Sequence, residues 1–74
     1  MDAILKSAIQ KDSTVEVVIA YFEGEVEVIR KTYIWAINQT LDDMKTIIRN
    51  DLNNIKTTAA RVKVLQDYLN KKIL

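Results

Sequence analysis

Two rhythms of apolar and polar residues run along this chain. From Leu41 onward, Leu41, Ile48, Leu52, Ile55, Ala59, Val62, Leu69 and Ile73 fall at steps of four, three or their sum, with Lys45 and Gln66 as the only polar interruptions. That is the period of one stripe on an α-helix. Thr40 followed by Asp43 makes a capping box, and Asp42 with Asp43 places negative charge where the helix dipole favours it. No glycine or proline follows Gly24, and Lys71 and Lys72 suit the negative pole, so the spacing predicts one helix over 41–72. Such a helix would be about 48 Å long, more than a globule this small can cover. Its heptad-like stripe therefore predicts packing against another chain in the manner of a coiled coil, through Ile48, Leu52, Ile55, Ala59, Val62 and Leu69. Gln66 would weaken that packing while fixing its register.

The second rhythm is shorter. In VEVVIAYFEGEVEV, Val15 to Val28, β-branched residues flank the only glycine of the chain. With Phe22, Glu23 and Gly24 at the tip, a two-residue loop would pair Tyr21 with Val26, Ile19 with Val28 and Glu16 with Lys31. Val15, Val17, Ile19, Tyr21, Val26 and Val28 would then form an apolar face, with the charges on its reverse. Tyr33 to Ile37 offers a third strand. The rival reading of 14–37 is a second helix: Val15, Ile19, Phe22, Val26, Ile29, Tyr33 and Ala36 also keep a four-three spacing, and Ser13 with Glu16 repeats the capping pattern. Because 15 of the 23 residues from Val15 to Ile37 are apolar, a helical stripe arises there easily by chance, and the density of Val, Ile and aromatics favours strands. Ahead of it, 2–11 reads as a short helix with Ile4, Leu5, Ala8 and Ile9 on one side.

The expected fold is thus a single, helix-rich α+β domain over 1–74: N-terminal helix, β-hairpin with an optional third strand, and a long C-terminal coiled-coil-like helix. The alternative is an all-α helical hairpin or bundle that oligomerises.

Composition narrows the functional classes. A chain of 74 residues buries a small share of its surface, and with no cysteine and no histidine it lacks disulfides and the best metal ligands, which leaves self-association as the means of stabilisation. No signal-peptide pattern and no apolar run of membrane-spanning length are present, so a soluble cytoplasmic protein without membrane contact is expected. The net charge of +1 divides unevenly, with −4 over residues 1–29 and +5 over 30–74. The favoured reading is that the two halves complement each other, within the fold or across a dimer; the sharper one is a basic face for an anionic partner.

Candidate chemistry is sparse. The usual nucleophiles and proton carriers, Cys and His, are missing, and one glycine cannot build a phosphate loop, so no enzymatic role and no cofactor are expected. Glu23, Glu25 and Glu27 read as solvated charge at a hairpin tip whose spacing matches no calcium loop. Arg49, Lys56 and Lys63 recur every seven residues as one row, the charged border of a coiled coil or, less favoured, a contact for nucleic-acid phosphates. Arg30, Lys31, Tyr33 and Trp35 interleave bases with aromatics as single-strand binders do, but interior packing of Tyr33 and Trp35 is the stronger reading. The sequence favours a small homo-oligomeric interaction module, an adaptor, inhibitor or assembly factor with a protein partner, over a dimeric nucleic-acid-associated regulator.

Overall fold

β-Branched and aromatic residues determine the first half of the molecule. The computed structural model, which describes all 74 residues, has three antiparallel strands, β1 (Asp2–Lys11), β2 (Thr14–Glu23) and β3 (Val26–Trp35), followed by one helix, α1 (Leu41–Gln66). The strands lie in chain order, so β2 is central and β1 and β3 are edges.

The expected N-terminal helix over 2–11 does not exist; that segment is β1, and the all-helical alternative falls with it. A bulge explains the misleading pattern. Ala3 and Leu5 pair with Tyr21 and Ile19, the register slips by one between Leu5 and Ser7, and Ala8 and Gln10 then pair with Val17 and Val15. Paired residues share a face, so Ala3, Leu5, Ala8 and Gln10 all lie on the α1 side of the sheet. The extra residue inserts one step of three into an alternation of two, which imitates a helical stripe.

Both hairpin turns contain two residues. Asp12 and Ser13 join β1 to β2, with Asp12 at φ 53 and the Thr14 hydroxyl donating to the Lys11 carbonyl at 2.9 Å. Ser13 is therefore a turn residue and not the cap of a second helix. Gly24, at φ +61, and Glu25 join β2 to β3. This turn lies one residue later than expected, and a slip between Tyr21 and Phe22 adds a further shift. The observed pairs are Tyr21 with Ile29, Ile19 with Lys31 and Glu16 with Ile34. Ile29, Lys31, Tyr33 and Trp35 consequently join Val15, Val17, Ile19 and Tyr21 on the α1 side, and Lys31 does not lie opposite Glu16.

Residues 36–40 reverse the chain. The Trp35 indole donates to the Gln39 carbonyl at 2.9 Å, and the Ala36 amide donates to the Gln39 side chain at 3.0 Å. Thr40 then caps α1: the Asp43 amide donates to its hydroxyl at 3.1 Å, and its own amide donates to the Asp43 carboxylate at 2.9 Å.

α1 ends at Gln66, short of the expected residue 72, and 67–70 form tight turns with Asn70 at φ 63. From Ala60 onward every residue is exposed. A helix draws most of its stability from a buried face, and these last turns have none.

Only Val17, Ile19, Ala20, Tyr21 and Met44 are fully buried. Ile48, Leu52 and Ile55 of α1 pack on Val17, Ile19 and Tyr21, flanked by Val15, Tyr33 and Trp35. The radius of gyration is 16.0 Å, against about 11 Å for a compact chain of this length.

A Cβ added at Gly24 meets nothing within 4 Å, so any penalty there belongs to the backbone alone. Gly24→Ala is expected to lower stability by about 1 kcal/mol and Gly24→Asn by less, measured by urea unfolding.

Candidate functional site

The most structured polar group joins α1 to the sheet. Asp51 is the only acidic residue of α1 beyond its first turn, and it faces β3. There its Oδ2 accepts from the Tyr33 hydroxyl at 2.6 Å and from the Lys31 ammonium at 3.1 Å. The Tyr33 hydroxyl also meets that of Tyr21, whose side chain is fully buried. In the register the two tyrosines are separated by the Ile19–Lys31 pair, so their rings span it from either end.

The charges of this cluster are tuned for holding. The Tyr33 hydrogen bond, then Lys31, hold the Asp51 carboxyl below its ordinary value. Burial, then the bond to Asp51, push the Tyr33 phenol far upward, and burial likewise raises Tyr21. A catalytic base needs a raised carboxylate and a catalytic acid or nucleophile a lowered phenol; here both directions are reversed. No buried side-chain polar atom lacks a partner, and no group of three acidic side chains is placed to hold a metal ion. Glu27 is engaged by Arg30 at 2.6 Å.

The remaining surface is notable for apolar area. α1 lies over the sheet without closing fully on it, which leaves a groove of about 400 Å³ floored by Ala3, Leu5 and Ala8 and walled by Leu41, Met44 and Ile48. At the opposite end, α1 runs past the sheet beside Val28 and Ile29. Beneath it lies a second groove of about 620 Å³, lined by Ile55, Ala59 and Val62.

The six residues expected at an oligomer interface are thereby divided. Ile48, Leu52 and Ile55 pack on the chain's own sheet; Ala59 and Val62 line the second groove; and Leu69 is 68% exposed beyond the end of α1. Arg49, Lys56 and Lys63 are all exposed and form no ion pair, since the two salt bridges of the molecule use Arg30 and Lys31. Arg49 borders the first groove and Lys63 the second. The interleaved bases and aromatics do not make a stacking platform: Arg30 pairs with Ala20 on the reverse of the sheet, Lys31 and Tyr33 bind Asp51, and the indole of Trp35 is tied to Gln39. Sequence reasoning missed the Asp51 cluster. Its one signal was a lone acid in the middle of an otherwise basic helix.

No family model matches this chain, and neither a curated protein nor a solved structure is found to be similar to it. No helix is long and apolar enough to cross a membrane.

Because the folded state holds Asp51 ionised, the stability it contributes is complete above the ordinary carboxylate range, about pH 4, and is lost as pH falls below it. The raised phenols contribute below about pH 10 and lose their contribution above it. Tyr33→Phe is expected to flatten the acid limb of a stability-against-pH profile. Asp51→Ala, which leaves the Tyr33 hydroxyl without its acceptor, should cost about 1–3 kcal/mol at pH 7 by denaturant unfolding.

Proposed function

We propose that this chain is a small, non-enzymatic interaction module that self-associates through the free underside of α1 and, once assembled, presents its acidic hairpin tip to a protein partner. The observation that carries the reading is surface area. The chain exposes 6005 Å², whereas a folded monomer of 8.5 kDa exposes about 4,700 Å². The excess, about 1,300 Å², exceeds the roughly 800 Å² that each partner contributes to a standard interface. Part of it lies where α1 leaves the sheet: Val62 is 47% exposed, and Val64, Leu65 and Leu69 more so. Adaptors, inhibitors and assembly factors all act through such surfaces. Coiled-coil-like pairing of the overhanging turns would bury Ala59 and Val62 of each copy.

A second reading, a nucleic-acid-associated dimer, draws on the exposed and unpaired row of Arg49, Lys56 and Lys63. Its weakness is number: three cations per chain would neutralise few phosphates.

Light scattering after gel filtration is expected to give a mass at least twice 8.5 kDa, and Val62→Asp to lower that mass by removing the α1 contact. A wild-type chain that stays monomeric up to about 1 mM would contradict the proposal, since contacts weaker than this contribute under about 4 kcal/mol. Elution from heparin at low salt is expected; late elution would favour the nucleic-acid reading.

A further inference from the structure

We infer that β1 is a second, independent self-association surface. Two copies pair antiparallel through this edge about a two-fold axis between Lys6 and Ser7, and their sheets merge into one of six strands. This goes beyond the α1 interface, which lies at the far end of the helix.

β1 is a ten-residue edge strand with no proline, and the unpaired backbone of such an edge is a template for another strand. Its one lysine near the middle does not guard it, because the Lys6 ammonium lies over the Phe22 ring, 5.4 Å from the centroid.

The strand is also complementary to itself. In the register whose residue numbers sum to about 13, the antiparallel rule for opposed positions, all ten residues find partners. Asp2 meets Lys11 of the second copy, Ala3 meets Gln10, Ile4 meets Ile9 and Leu5 meets Ala8. Opposite charges therefore meet at both ends, and apolar side chains meet between them.

The bulge makes this register geometrically consistent. Directly opposed residues must point to the same side of a sheet. A regular strand can satisfy that only with its two-fold centred on a residue, because neighbours alternate. With the slip between Leu5 and Ser7, Ala3, Leu5, Ala8 and Gln10 lie on one side and Asp2, Ile4, Ile9 and Lys11 on the other, so every pair named above is face-matched. Registers displaced by one residue mismatch every pair.

Exposure points to the same edge. Leu5 is 60% exposed and Leu41, on the lip of the first groove, 54%, and Ile4 and Ile9 are exposed on the reverse. A second β1 places an apolar neighbour beside each of these three strand residues and extends the groove floor across the axis.

The chain has no cysteine, so introduced thiols report directly. Equal mixtures of Ile4→Cys with Ile9→Cys, and of Ala3→Cys with Gln10→Cys, are to be oxidised and resolved on a non-reducing gel. Adjacent pairs alternate between wide and narrow spacing, so at least one mixture should form a disulfide-linked dimer in high yield, and each variant alone at least tenfold less. Equal yields with single variants, or no cross-link in either mixture, would overturn the pairing. Lys11→Asp is expected to weaken association about tenfold through its two symmetric contacts, and Asp2→Lys with Lys11→Asp to restore it; failure of the rescue would also count against the register. Repeating the mixtures with Val62→Asp present separates the two surfaces: unchanged cross-linking is expected even if the α1 interface is absent, and its loss would refute independence.

Discussion

One helix cannot cover three strands, and the rest of this molecule follows from that mismatch. A helix with its side chains is about 10 Å wide and neighbouring strands lie about 4.8 Å apart, so a single helix shields about two of them. Along its axis, α1, with 26 residues, runs about 39 Å, while a ten-residue strand runs about 33 Å. The helix must leave part of the sheet bare and must overrun one end. Both occur: Leu5 of β1 and Ile29 of β3 stay exposed on the α1 side, and the turns after Ile55 pass beyond the hairpin with Val62 exposed.

Two polar attachments prevent the helix from sliding to hide these surfaces. Asp51 is bonded to Tyr33 and Lys31 near the middle of β3, and Gln39 holds Trp35 at the start of α1. Their bonds fix both axial position and side of the sheet, which a small apolar core of Val17, Ile19, Tyr21 and Met44 would do loosely. Neutralising Asp51 or removing its donors frees the helix as well as weakening it. The uncovered surfaces are thus held in fixed places.

The parts of this arrangement that were legible in the sequence are those encoded locally. Thr40 and Asp43 announce the start of α1, and Gly24 marks a turn because only its backbone accepts a positive φ cheaply. What was hidden depended on tertiary geometry. β1 read as a helix because its bulge mimics helical spacing; the β2–β3 register was missed because a second slip follows a turn placed one residue late. The end of α1 was overestimated because Leu69 and Ile73 continue the stripe although no surface exists for them to pack on. Periodicity records which residues are apolar, and only the fold decides whether anything covers them. The same holds for the expected interface, half of which the chain's own sheet occupies.

The central claim is that the isolated chain is an incomplete globule whose stability depends on association. Its most direct test is the melting temperature as a function of chain concentration. A hundredfold increase in concentration is expected to raise the midpoint by roughly 5–10 °C, as mass action requires when only the associated state is well folded. A midpoint that stays constant over that range would contradict it.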